Sequence, residues 1–156
     1  MSDKPKVRTC LLFDGRGEDA AKFYVSLLPD SRIEDIVRPG PDGPALVAEF
    51  TLAGAPYMTL NAGPQFQHTP AASISVLTKD QAETDRLWDA LLEGGGSAGH
   101  CAWLTDKFGV SWQIVPEAVP RLLGADDKAA AMRARDTMMT MGKIDIAALE
   151  AAFQNT

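Results

Sequence analysis

An α+β architecture is expected for this chain: two tandem βαβββ units and a helical tail. Three observations lead there. Phe23-Tyr24-Val25-Ser26-Leu27-Leu28 returns as Leu87-Trp88-Asp89-Ala90-Leu91-Leu92. In each copy a doublet of large residues with two leucines beyond it forms one apolar helix face. Both copies follow a short apolar run and a polar turn (Leu11-Leu12-Phe13 before the first, Ile74-Ser75-Val76-Leu77 before the second), and both are followed by Pro or Gly. From Pro116 the texture changes to an Ala-, Met- and Arg-rich stretch.

The elements follow in order. Val7 to Phe13 reads as a strand, and Asp14-Gly15-Arg16-Gly17 as a turn. Glu18 to Leu28 reads as a helix, with Ala20, Ala21, Tyr24, Leu27 and Leu28 at spacings of three and four. Glu18 and Asp19 suit the positive end of its dipole, and Pro29 stops it. Ser31 to Arg38, Ala45 to Leu52 and Tyr57 to Asn61 read as strands. They are separated by the Pro39–Pro44 loop and the Ala53-Gly54-Ala55-Pro56 turn.

Ala62 to Pro70 connects the halves, and Ala72 to Leu77 opens the second copy. Its helix carries two candidate capping boxes, Thr78 with Gln81 and Asp80 with Glu83. The helix ends at Gly94-Gly95-Gly96, a terminating run rather than a phosphate loop, since no Gly-Lys-Ser/Thr follows. Ala98 to Leu104 and Val110 to Val115 read as strands around the Thr105–Gly109 turn, with a short strand near Gly95 to Gly99. Pro120 to Leu123 is expected to make a helical turn at most, and helices are expected over Asp126–Met141 and Asp145–Phe153. The modules thus span about 6–62 and 71–116 within a 1–116 domain, and 117–156 forms its helical extension. Met132, Met138, Met139 and Met141 are read as packing residues of that extension.

The bulk numbers exclude several classes. At 156 residues the chain suits one domain or two small halves. Its hydrophobic content of 46% is ordinary for a soluble protein. No apolar stretch approaches the ~18 residues of a membrane span, and no apolar core of a signal peptide follows the charged N-terminus. The net charge of −6 comes with no basic run, which argues against nucleic acid. The acidic balance leaves a cationic ligand plausible, with solubility as its simpler role. Two cysteines far apart, Cys10 and Cys101, fit a reducing cytoplasm.

Two strand-helix-strand-strand-strand units in tandem resemble the vicinal oxygen chelate superfamily, which includes glyoxalases, bleomycin-resistance proteins and extradiol dioxygenases. More closely, the segment Cys101-Ala102-Trp103-Leu104-Thr105-Asp106-Lys107-Phe108-Gly109-Val110-Ser111-Trp112-Gln113-Ile114-Val115-Pro116 resembles the signature of the PhnB-like branch, often labelled demethylubiquinone methyltransferase-like. Asp80-Gln81-Ala82-Glu83, Leu87-Trp88 and the tail Met141-Gly142-Lys143-Ile144-Asp145-Ile146 carry the same likeness. The resemblance implies a curled mixed sheet with a cleft, and a homodimer.

In metal-using relatives, His, Gln and Glu ligands occupy equivalent strands. The resemblance places those positions near Val7 or Thr9, Asn61, Ser73 and Gln113, which are poor ligands for a divalent cation. Gln113 stands where a glyoxalase would carry Glu. His68 lies in the connection, where solvent exposure is expected, and His100 and Cys101 would point to opposite faces of a strand. Cys101 reads as a small buried residue and not a nucleophile. No metal and no other cofactor is therefore expected. Methyl transfer is disfavoured because Gly15-Arg16-Gly17 is not followed by the doubly wound sheet of S-adenosylmethionine enzymes.

Candidate ligand-binding residues are Gln113, Asn61, Trp103, Tyr57, Ser73 and Thr9; Trp112 and Phe66 are further aromatic candidates, with Trp112 better read as core. Asp106 and Lys107 read as a surface turn pair, and Glu49 as an inward carboxylate that could serve as a base. Three readings compete: a metal-independent dimer binding a small organic molecule, an enzyme on a small substrate (acting without metal, as a metal-dependent lyase or oxygenase, or as a methyltransferase), and an interaction module with a vestigial cleft.

Overall fold

The computed structural model describes residues 3–156. The chain divides into two units, the first ending at His68 and the second beginning at Thr69. Each unit is a strand, a helix and three further strands, and the second carries the C-terminal helices.

In the first unit, β1 (Thr9–Phe13) leads into α1 (Gly17–Leu27), then β2 (Arg32–Val37), β3 (Val47–Leu52) and β4 (Ala55–Asn61). The sheet order is β1-β4-β3-β2, with β1 and β4 parallel and the other pairs antiparallel. Alternation divides the sheet into two faces. Phe50, Ala48, Leu11 and Phe13 are buried on one of them, and Tyr24 of α1 packs against Phe50 with ring centroids 6.3 Å apart.

The second unit repeats this plan with β5 (Ser73–Thr78), α2 (Gln81–Leu92), β6 (Ser97–Ala98), β7 (Trp103–Thr105) and β8 (Ser111–Pro116), in the order β5-β8-β7-β6. Leu87, Trp88 and Leu91 of α2 are buried, as are Trp112 and Ile114 of β8. Asp80 is the N-cap, accepting from Glu83 N at 2.9 Å, while Glu83 reaches back to Lys79 N at 2.8 Å. Thr78 bonds Thr84 in the core instead, Oγ1 to Oγ1 at 2.7 Å. The expected helix stop holds: α2 ends at Leu92 and Gly94 takes φ +83°.

The expected strand from Ala98 to Leu104 is broken. Cys101 and Ala102 form a turn at φ +54° and +77°, a region that L-residues visit rarely. The tail holds that turn, since Met141 O accepts from Cys101 N at 2.8 Å and Gly142 O from Ala102 N at 2.9 Å. These partners lie about 40 residues downstream, so local sequence could not show them.

Helices α3 (Ala118–Leu123), α4 (Lys128–Met138) and α5 (Ile146–Gln154) complete the unit. Residues 118–123 make a full short helix where a single turn was expected. Ala118, Leu122, Ala134, Ile144 and Leu149 share one apolar cluster, with Ile146, Phe153, Met138 and Met141 packed on it. Gln81 ties α2 to this tail, donating to Ile144 O and accepting from Ile146 N, both at 2.9 Å. No helix among the described residues is long and apolar enough to cross a membrane.

Candidate functional site

The six candidate binding residues divide sharply between the units. In the first, register places Thr9, Tyr57 and Asn61 in line with Leu11, Phe13 and Thr59, on the face that α1 covers. Tyr57 stacks on Phe50 at 5.5 Å, and burial pushes its phenol pKa up. Asn61 is a helix cap supplied from β4: its Oδ1 accepts from Gly17 N at 2.9 Å, and its Nδ2 donates to Ala45 O at 2.7 Å. The first turn of a helix leaves N–H groups without intrahelical partners, and Asn61 satisfies one of them. Gly17 is a packing glycine, because a Cβ there would lie 2.8 Å from Thr59 Oγ1. The Gly15-Arg16-Gly17 turn is thus committed to seating α1 on its sheet, and its donor set does not fit a nucleotide-like cofactor.

The opposite face of that sheet carries a charge cluster. The Arg8 side chain is only 8% exposed; it pairs with Glu34 and donates to Tyr57 O at 3.1 Å and Phe50 O at 3.3 Å. Glu49 does not stand alone as a base: it binds Lys4 at 3.1 Å and lies 3.8 Å from Arg8.

In the second unit the candidates come together. Ser73, Ser75 and Leu77 of β5 share a face with Ser111, Gln113 and Val115 of β8 and with Trp103 and Thr105 of β7. This is the side of the sheet away from α2, since Trp112 and Ile114, of opposite parity, are fully buried. Gln113 Nε2 donates to Ser73 Oγ at 2.9 Å. Gln113 Oε1 and Trp103 Nε1 have no partner among the described residues. Gln113, Ser73 and Trp103 are all half-buried, and Leu77 is 61% exposed.

Asp106 is not a surface turn residue. It is 2% exposed, and three donors surround its carboxylate: Phe108 N at 2.8 Å and Val110 N at 3.0 Å on Oδ1, and Trp112 Nε1 at 2.8 Å on Oδ2. It shapes the β7–β8 turn and fixes Trp112 as core. An Asp two residues before a backbone N–H in a Gly-containing turn is the sequence signal for this arrangement.

The remaining candidates lie apart from that face. Phe66 is 74% exposed in the connection. His68 is half-buried in the first unit, with Nε2 2.7 Å from Leu12 O and its ring 5.3 Å from Phe13. His100 is exposed in the turn, while Cys101 lies beside it against Met138 O and the Met139 sulfur, the latter at 3.6 Å. Among the described residues no three His, Cys, Asp or Glu side chains come together as a metal site requires. The amide and hydroxyl donors around Gln113 do not fit a divalent transition cation. Two recesses open in the second unit. One, of about 470 Å³, is lined by paired charges such as Arg121 with Glu150 at 2.7 Å; the other, of about 400 Å³, lies around Leu123 and Met132.

Comparison with known proteins places this geometry in context. Residues 5–115 match the model of the family described as 3-demethylubiquinone-9 3-methyltransferase. A PhnB protein from Bacillus cereus, described as a putative 3-demethylubiquinone-9 3-methyltransferase, is 33% identical over 72% of this chain and 99% of its own, with a TM-score of 0.65. A protein from Pseudomonas aeruginosa is 25% identical over 73% of this chain and 98% of its own, with a TM-score of 0.60. A fosfomycin resistance protein from Mesorhizobium loti shares the fold at 10% identity, over 74% of this chain and 92% of its own, with a TM-score of 0.52. No curated protein matches the chain. The family match stops before α3, so the Met141–Ile146 segment lies outside it.

Proposed function

Because the chain belongs to the PhnB-like family described as 3-demethylubiquinone-9 3-methyltransferase, we propose that it binds a small organic molecule on the face of the second sheet that carries Gln113, Ser73 and Trp103. One observation carries this reading: the Gln113 amide is oriented by its bond to Ser73 while its Oε1 stays unspent on the face that Trp103 shares. An oriented polar group next to an aromatic wall is the usual composition of a small-molecule site.

The binding is metal-independent in this reading, since the groups on this face are amide and hydroxyl rather than imidazole, thiolate or carboxylate. Methyl transfer is not supported: both sheets are four-stranded with a single parallel pair each, and Gly17 is used for packing. A homodimer completes the proposal, with cytoplasmic residence. Native mass spectrometry is expected to give a species at twice the 16.7 kDa chain mass.

The test is a thermal-shift screen of small organic fragments run in parallel on the wild type, Gln113→Ala and Trp103→Ala. Hits that raise the wild-type Tm and lose their effect in both variants support the reading. Hits that stabilise all three proteins equally contradict it.

A further inference from the structure

We infer that the ligand of this face is an uncharged planar molecule carrying a hydrogen-bond donor, an inference that rests on the binding reading above and narrows its chemistry. Across the four strands Ser73, Ser111, Thr105 and Ser97 stand in one row of the register, all hydroxyls. The next row holds Ser75, Gln113 and Trp103. None of the side chains that the register places on this face is charged.

The corresponding face of the first sheet behaves oppositely. There Arg32, Asp35 and Glu49 fall on the register, and Arg8, Lys4 and Glu34 join them in ion pairs. The duplication has therefore diverged into one charged face and one neutral face. The net charge of the chain says nothing of this local difference.

Charge decides what the neutral face can hold. A cation or anion settling against amides and hydroxyls gives up hydration without gaining a counter-charge, and the cost rises with burial. A neutral polar group exchanges its water hydrogen bonds for equivalent ones at little loss. Gln113 Oε1 is an acceptor, so the ligand must present a donor to it. Trp103 puts an aromatic ring on the same face, which favours a planar ligand.

The test uses three near-isosteric probes, benzamide, benzoate and benzamidine, which are neutral, anionic and cationic at neutral pH. Each is titrated into the full-length protein and followed by the ¹H–¹⁵N resonances of the Gln113 side-chain amide and the Trp103 indole. Benzamide is expected to shift both, with the two charged probes weaker by about tenfold or more. Gln113→Glu is expected to reverse the order in favour of benzamidine while leaving the fold intact, as checked by the remaining resonances. Benzoate or benzamidine binding as tightly as benzamide at these two resonances would overturn the inference and leave the binding reading standing. If none of the three moves them, while they shift resonances elsewhere or nowhere, the binding reading itself fails and the inference falls with it.

Discussion

The indole Nε1 of Trp112 donates to Oδ2 of Asp106 at 2.8 Å, joining a fully buried ring to a carboxylate that is only 2% exposed. The other carboxylate oxygen collects two backbone N–H groups of the same turn. A buried carboxyl group is tolerable when donors meet both of its oxygens, and here one hairpin supplies them. The hairpin also delivers Trp103 and Gln113 to the opposite face, so the proposed binding face depends on a bond it does not contain.

Asp106→Ala is expected to destabilise the fold by about 2–4 kcal/mol, since it strands two backbone donors and the indole. Asp106→Asn keeps one acceptor oxygen and is expected to cost about half as much. Urea unfolding followed by tryptophan fluorescence measures both; an Ala variant within error of wild type would remove Asp106 from its structural role.

Gly17→Ala places a methyl group 2.8 Å from Thr59 Oγ1 and 3.0 Å from Thr59 Cβ. Overpacking at this contact is expected to cost about 1–3 kcal/mol. Combining it with Thr59→Ala removes the nearest atom and is expected to return part of the loss, a coupling that a double-mutant cycle reads directly. Strict additivity would show that the two residues do not meet.

Asn61 and Gln113 separate stability from binding. Asn61→Ala loses the bond to Gly17 N and is expected to cost about 1 kcal/mol of stability with no change in benzamide affinity. Gln113→Ala is expected to do the reverse, keeping the melting temperature and losing the probe. The pair is measured by calorimetric titration beside thermal unfolding. Equal effects of both variants on binding would place Asn61 in the site.

Burial of the Glu34 carboxylate pushes its pKa up, but bonds from Arg8 and Thr51 and the Arg8 charge outweigh this and hold it below the usual range. A depressed folded pKa stabilises above the unfolded value, about 4.3, and that contribution is lost as pH falls through the folded value. Stability is therefore expected to drop on acidification below about pH 4. Glu34→Gln is expected to be less stable at neutral pH with a flatter acid limb, read as urea midpoints against pH. Arg8→Ala is expected to cost about 1–2 kcal/mol, because it leaves Glu34 partly buried with only the exposed Arg32 as a cation. An unchanged acid limb in Glu34→Gln would assign the pH dependence elsewhere.

Much of the fold was legible because the duplication is written in local periodicity. The helix faces of Tyr24 and Leu27 and of Leu87 and Leu91 could be read from spacing alone. Of the six candidate residues, three share one face of the second sheet, and the three of the first unit fall on the face that α1 covers. Strand parity decides which face a residue joins, and parity is visible only once register is known. Gln113, Ser73 and Trp103 share a parity, whereas Tyr57, Asn61 and Thr9 fall on the other side of their sheet. The Cys101–Ala102 turn depends on contacts beyond a local window, since it is held from the tail, whereas the burial of Asp106 is set within its own hairpin, by two turn N–H groups and Trp112. Asp80 as the N-cap was one of two readings the spacing allowed; Thr78 was excluded by its bond to Thr84.

The most direct measurement is a protein-observed ¹H–¹⁵N fragment screen on the assigned, untagged protein. Small-molecule binding at the proposed face would cluster the shifted resonances on Ser73, Ser75, Trp103, Thr105 and Gln113. Shifts clustering instead around Arg121 and Glu150, around Leu123 and Met132, or on the first unit would contradict it.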